Sequence, residues 1–457
     1  MPGARGGMSS LGRKFNSIGS DGLGNRTAWS LVVEVLQLAS SLSVFLVLPF
    51  LLSRNDYGVI VAVLGIATPA MSLTSFGSHA LLLRRVAEGV PLGDAWKRTT
   101  SIGIVGPAVA AVLLIAIRPL VWPNLDGWVY TLLLISQLNF FWMSELATFV
   151  GTATKRLKDA AKIRTMVAST RFAAVGWFAL FGGGKLLNWA IASVVSFGIA
   201  AVVSVYAVWR IFGVGPALNR LSKSDFKEGW PFSASGTTES LVDAADRPLM
   251  ARYELLEDAG IYGLAGRVIQ FGYLPIRILL RASDADMFAA GTKGTKPALA
   301  LSRRLLPPAL GVGVILSGCF LAFAPVLRLL PDRWDEIVPA VRWLAIMPTI
   351  RAVQYLMGNC LSASDRQRWR LSATFTAAIL NLGLNLWLLP NGGWRTAVMT
   401  TIVSEVYLTV VLTAMAVWNA SKEGDDTEIC TSGIPDEPVI PVLQSASPNE
   451  TSPSPGH

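Results

Sequence analysis

The stretch AGIYGLAGRVIQFGYLPIRILLRA, residues 259–282, decides how the rest of the chain is read. It has the length and apolar content of a membrane-spanning helix, yet it carries Arg267, Gln270, Arg277 and Arg281. At 100° per residue these four side chains fall within roughly 80° of one helix face. A charged side chain at mid-bilayer costs about 2.5–3.5 kcal/mol on insertion scales, so it is kept only where it faces a protein interior or a wet cavity. Guanidiniums along a cavity wall bind anions. The stripe predicts transport of something negatively charged.

Apolar segments of spanning length recur on both sides of that stretch. The chain has 457 residues, 52% hydrophobic and 15% charged, with a mean hydropathy of +0.49; soluble domains carry about 25% charged residues. Spans are predicted at 28–53, 59–83, 99–122, 127–153, 162–182, 187–210, 228–251, 259–282, 305–330, 337–362, 370–390 and 395–419. The fold expected is an all-α polytopic membrane protein of twelve transmembrane helices in two six-helix lobes around a central cavity. Its parts are a cytoplasmic N-terminal segment at 1–27, a lobe at 28–210, a cytoplasmic linker at 211–227, a second lobe at 228–419 and a disordered cytoplasmic tail at 420–457.

Charge predicts the orientation. With the N-terminus inside, the cytoplasmic segments hold 25 of the 39 basic residues, and the opposite loops hold only Arg54, Lys185, Arg252, Arg333 and Arg395. That asymmetry is a positive-inside signal and places both termini in the cytoplasm of a multi-pass protein of the cytoplasmic (inner) membrane. The net charge of +9 is then topological, and no nucleic-acid partner is expected. Residues 1–27 lack a separate apolar core with a cleavage site, so no signal peptide is expected. The acidic, Pro- and Ser-rich tail has the composition of a disordered segment. Cys319, Cys360 and Cys430 form no metal or disulfide pattern.

An internal repeat organises the chain. Leu52 to Ala62, with Asp56, Tyr57 and Gly58, closes one span and opens the next; Tyr253 to Ala265, with Asp258, Gly260 and Tyr262, does the same about 200 residues later. Short turns favour such residues anyway, but the helix count and loop pattern agree with six helices repeated as six. Bundles related in this way enclose a cavity at their interface, where transporters bind substrate.

The turn Arg54-Asn-Asp-Tyr-Gly58, the exit Gly77-Ser-His-Ala-Leu-Leu-Leu-Arg84-Arg85 and the turn Gly260-Ile-Tyr262 resemble the bacterial polysaccharide-exporter flippases. So do Leu361-Ser-Ala-Ser-Asp-Arg366, Asn381-Leu-Gly-Leu-Asn385 and Thr400-Thr-Ile-Val-Ser-Glu405. These proteins belong to the multidrug/oligosaccharidyl-lipid/polysaccharide flippase superfamily, and the resemblance covers most of residues 28–419. It implies two six-helix lobes around a V-shaped cavity, and alternating-access movement of a polyprenyl-diphosphate-linked oligosaccharide from the inner to the outer leaflet. One departure is Trp394 and Arg395 after Pro390, where the family prefers small residues.

A diphosphate needs planar cationic donors, and Arg offers two parallel hydrogen bonds that Lys cannot. Arg171, Arg267, Arg277 and Arg351 lie deepest in their spans, and Arg281 lies near the cytoplasmic mouth. Each could instead be one half of an ion pair that fixes packing. Arg118, Arg328 and Arg342 lie near external helix ends and are expected to snorkel. Among the acids, Glu34, Glu239, Asp243 and Glu405 are candidates for coupling or gating, with Asp243 and Arg247 at the favourable i,i+4 spacing. Asp246 matches an acid that the family often carries late in this span and is read as structural. His79, near a cytoplasmic helix end, needs no special purpose. Trp142, Trp177, Trp189, Trp209 and Trp343 could stack on sugars only if they face the cavity; most tryptophans are expected at the bilayer interfaces.

No nucleotide-binding loop, metal cluster or nucleophile–base constellation is visible, so the protein is not expected to be an enzyme. No cofactor is expected beyond a coupling ion, H+ or Na+. Partners are the lipid-linked oligosaccharide, the bilayer, and a polysaccharide polymerase and glycosyltransferases. The alternatives are a cation-coupled multidrug exporter of the same superfamily, whose cavity should be acidic and aromatic, and a peptidoglycan-precursor flippase, which commonly has more than twelve helices. A membrane polymerase would carry a large external loop, and every such loop here is short.

Overall fold

The computed structural model describes residues 35–432 apart from 38, 216, 220 and 221; within helices, the side chains at 274, 278, 281, 282, 285 and beyond 423 fall outside that description. Among the described residues all regular structure is helical. In chain order the helices are α1 (Val35–Leu51), α2 (Arg54–Thr74), α3 (Ser78–Ala87), α4 (Leu92–Val121), α5 (Gly127–Ile135), α6 (Trp142–Ala153), α7 (Leu157–Phe181) and α8 (Leu186–Phe212). They continue with α9 (Lys223–Ala244), α10 (Asp246–Arg252), α11 (Leu256–Ala282), α12 (Asp284–Gly291), α13 (Thr295–Phe323), α14 (Ile337–Leu344), α15 (Met347–Ala363) and α16 (Gln367–Ser432). Each of the twelve expected spans has a helical counterpart. Six helical stretches among the described residues are long and apolar enough to cross a membrane by length and composition alone, and one of them, Gln367–Glu423, holds two expected spans.

The differences from the expected map have local causes. A π-helical segment, Ser136–Phe141, joins α5 to α6. The linker expected to run to residue 227 ends earlier, because Ser222 and Asp225 form a reciprocal capping box that starts α9. Span 228–251 is not one helix: α9 stops at Ala244 and α10 begins at Asp246. The two arms of α16 meet at Gly393, whose φ of 55° and ψ of −143° no other residue type adopts readily. A Cβ there would also lie 2.6 Å from an Asp258 carboxylate oxygen. Neighbouring Trp394, the departure from the family pattern, is buried and donates its indole N–H to Glu336 at 2.7 Å. The helix runs past residue 419, where the tail was expected to begin, to Ser432; Glu423 accepts hydrogen bonds from Thr295 and from the Lys296 amide. Residues 1–34 and 433–457, which include the expected cytoplasmic N-terminal segment and the expected disordered end, lie outside the described residues.

The buried core changes along the bundle. At the end that carries Ser53, Asp126 and Tyr253, one apolar cluster draws on both halves of the chain and includes Leu48, Tyr57, Tyr130, Tyr262 and Trp334. Further along it divides into separate clusters, one around Leu82, Trp96 and Leu146 and the other around Ile276, Leu356 and Leu412. The halves are therefore fused at one end and splayed toward the other. Hydrogen bonds close the fused end: Trp334 donates to the Pro49 carbonyl at 2.8 Å and Trp122 to the Pro248 carbonyl at 2.9 Å. One seam stays shut toward the splayed end, where Arg85 on α3 pairs with Asp225 on α9 at 2.6 Å and Glu228 at 3.1 Å.

Candidate anion-binding cavities

Two cavities of ≈ 270 Å³ each lie on either side of α11. The first is walled mainly by α1, α2, α7 and α8 and receives Arg171 from α7 and Arg267 from α11. Gln37, Ser41, Thr68, Gln137, Ser193 and Ser196 are its neutral polar lining, and no carboxylate lines it among the described residues. Arg171 lies 3.3 Å from the Ser41 hydroxyl and stands over the rings of Phe197 (5.2 Å) and Phe141 (5.8 Å). Arg267 stands 4.5 Å from the Phe45 ring centroid and donates to Gln270 at 3.0 Å. Aromatic faces attract guanidinium without neutralising it. Both charges therefore remain available to an anion.

The second cavity is walled by α9, α10, α11, α15 and the second arm of α16 and holds Asp243, Arg247, Tyr262, Gln270, Arg277 and Arg351 among its lining residues. Here the expected cations divide. Arg277 is exposed to the cavity and has no carboxylate within ion-pair distance among the described residues. Arg351 is neutralised in place: it pairs with Asp243 at 2.5 Å and with Glu405, which is only 1% exposed and also accepts from Gln354 at 2.6 Å. Glu239 pairs with Arg370 at 2.8 Å beside a smaller cavity of ≈ 150 Å³ that Arg351 also borders. Every candidate acid that is described thus has a basic partner. Glu34 and the side chain of Arg281 lie outside the described residues.

The i,i+4 pairing of Asp243 with Arg247 does not form. Ala245, between α9 and α10, keeps right-handed helical dihedrals of φ −66° and ψ −24°, so the spacing survives, and Asp243 turns instead to Arg351. Arg247 is left 7% exposed with an unsatisfied Nε. Asp246, completely buried, instead lies 3.5 Å from Thr401, whose hydroxyl meets Tyr262 at 2.8 Å.

Of the five tryptophans considered for sugar stacking, Trp189 alone appears in the walls of these cavities. Trp177, Trp209 and Trp343 are about half exposed on the outer surface and Trp142 is buried against His79. Sequence reasoning missed the Arg164–Glu145 pair, in which a forked guanidinium meets both carboxylate oxygens, one of them at 2.8 Å. Arg164 lies within the predicted span 162–182, near its cytoplasmic end, and is only 5% exposed. A lone Glu inside the apolar span 127–153 was the available signal, since an intramembrane acid requires a partner.

A bundle of paired helices fused at one end, with polar cavities at the centre and an apolar outer surface, defines a multi-pass membrane transporter fold. A multidrug resistance MATE family transporter of the MOP superfamily in an inward-facing conformation has the same fold, with a TM-score of 0.71 at 11% identity over 85% of this chain and 96% of that one. A MOP superfamily transporter from Pyrococcus furiosus, described as having a binding pocket of reversed polarity, gives 0.64 at 11% identity over 88% and 95%. A MATE protein in complex with MaL6 gives 0.62 at 12% identity over 88% and 97%. No curated protein matches the sequence. The family model for polysaccharide biosynthesis proteins matches residues 23–275, more than half of the chain. The chain belongs to that family.

Proposed function

We propose that the protein is a flippase that carries a polyprenyl-diphosphate-linked oligosaccharide across the cytoplasmic membrane by alternating access. The observation that carries this reading is the first cavity, in which Arg171 and Arg267 stand over aromatic rings with no lining carboxylate among the described residues. Two uncompensated guanidiniums suit a diphosphate and repel a cation, and repulsion in a water-poor site is weakly screened. The polysaccharide biosynthesis family and the apolar outer surface support a lipid-linked glycan as cargo. In this reading the lobes are residues 28–210 and 228–419 and both termini are cytoplasmic. The fused end faces outward and the splayed end opens to the cytoplasm, where glycosyltransferases would supply the substrate; a polymerase would consume it outside.

The acids then belong to the return stroke. Arg351 cannot leave Asp243 and Glu405 without exposing two carboxylates, and H+ or Na+ would supply the missing charge. The test pairs two measurements in a deletion strain: labelled lipid-linked oligosaccharide by leaflet, and efflux of a cationic dye. The proposal expects the lipid intermediate to accumulate in the inner leaflet while dye efflux stays unchanged. Normal leaflet distribution with lost dye efflux would replace it with the multidrug exporter.

A further inference from the structure

In the second cavity two guanidiniums stand outside the ion pairs that its acids form. Arg351 is consumed by Asp243 and Glu405. Arg247 and Arg277 remain, with no carboxylate within ion-pair distance among the described residues. The acid next to Arg247 in the chain, Asp246, is fully enclosed; Arg247 is the main charge that acts on it and gives it a backbone amide, but its side chain bonds Thr401 and Tyr262 and forms no ion pair with the guanidinium. Arg247 is more than nine-tenths buried and lines the cavity beside Gly266, where a Cβ would approach its Nη2 to 3.9 Å. A guanidinium so far removed from water persists where something negative reaches it. Beside the apolar Val242, Ile269, Leu344 and Met347, the wall carries Tyr262, Tyr273, Tyr355, Gln270 and Thr401, hydroxyl, amide and ring surfaces of the kind that hold sugars.

The two cavities also adjoin. Arg267 lines the first and donates to Gln270, which lines the second. A diphosphate on one side of α11 would therefore have its glycan next door.

We propose that the second cavity is a glycan subsite selective for a carboxylate-bearing sugar, a hexuronate or its like, with Arg247 as the principal anchor and Arg277 as a second cationic contact. This rests on the flippase reading and adds the acidic character of the oligosaccharide. Arg277 lies ten residues beyond Arg267, about 15 Å along an ideal helix axis at 1.5 Å per residue, so it would meet a later part of the glycan than Arg247 does. Bidentate hydrogen bonding gives Arg a geometric preference for carboxylate over hydroxyl.

The test uses the full chain in lipid nanodiscs and three probes: the disaccharide glucuronosyl-glucose, its carboxyl-reduced neutral counterpart, and geranyl diphosphate. The wild type should bind the acidic disaccharide at least tenfold tighter than the neutral one. Arg247→Gln should bring the two near parity, Arg247→Lys should keep part of the preference, and Arg277→Gln should reduce it at least threefold. Arg267→Gln should leave the preference intact while weakening geranyl diphosphate. The proposal is overturned by equal affinities in the wild type, by a preference that survives Arg247→Gln, or by one that vanishes with Arg267→Gln. Should Arg247→Gln fail to accumulate, Arg277→Gln, at an exposed position, decides alone, and an unchanged preference there overturns it. A preference that holds while the wild type ignores geranyl diphosphate would keep the subsite and sink the diphosphate reading.

Discussion

Gly58 and Gly260 make the same contact in opposite directions. A Cβ on Gly58 would strike the Leu256 carbonyl oxygen at 1.8 Å, and one on Gly260 would strike the Arg54 carbonyl oxygen at 2.7 Å. Each glycine lies four residues after the position that its counterpart touches, so the two repeats of the turn meet across a local two-fold axis. A self-complementary contact of this kind is how related bundles seal one end. Only a residue without a side chain permits it.

Alanine at either glycine should therefore prevent the fused end from closing. In a cysteine-free background with Val61→Cys, which sits buried against Gly263, Gly58→Ala should raise the rate of labelling by an impermeant maleimide several-fold and reduce polymer export. Gly260→Ala should act in the same direction but less, since its clash is the milder. Unchanged labelling in both would mean that the close approach is not needed for sealing.

Arg351 offers a choice between ligand and brace. Removing one partner of a buried ion pair costs about 3–5 kcal/mol because the other charge is stranded. Arg351→Ala should thus lower the amount of folded protein in the membrane, and adding Glu405→Gln should restore much of it. Normal protein levels with abolished export in the single variant would instead make Arg351 a substrate contact whose pairing is incidental.

The spans were legible because hydrophobic runs of spanning length declare themselves, and the closing turns were legible because Asp, Gly and Tyr recur at the same offset. Arg171 and Arg267 could be named because an arginine inside an apolar run must face something polar. What the sequence hid was pairing. Asp243 and Arg247 look like partners from their spacing, but Asp243 is taken by Arg351, 108 residues further along the chain, a contact that no local pattern announces. The division of Arg267 and Arg277 between two cavities was equally hidden, since they share one face of α11 and differ only in which neighbouring helices meet that face.

Topology is a separate expectation. Reporters fused after Asp94, Lys158 and Lys223 should report cytoplasm, and fusions after Asn124, Gly183 and Asn391 the exterior. The warrant is the basic-residue asymmetry, and in the structure the second set falls at the fused end, near Trp122, Gly182 and Trp394. An external signal from any of the first three would break the map at that point and reverse which end of the cavity opens inward.

The chemistry of the first cavity can be separated into charge and geometry. Arg267→Gln removes the charge, the attraction to the Phe45 ring and the fork together, so export should fall at least tenfold with protein level near normal. Normal abundance is expected because Arg267 has no carboxylate to strand; its described polar contact is neutral Gln270. Arg267→Lys keeps the charge but loses two-point binding, and should recover only part of the activity. Arg171, held by serine hydroxyls and two phenyl rings, should behave in parallel, and the double Gln variant should show no residual export. If either Lys variant transports like the wild type, a diffuse positive field suffices and the bidentate diphosphate contact is not made. If either Gln variant disappears from the membrane instead of losing transport, that arginine is a packing element and the cavity has lost half of its claim to an anion.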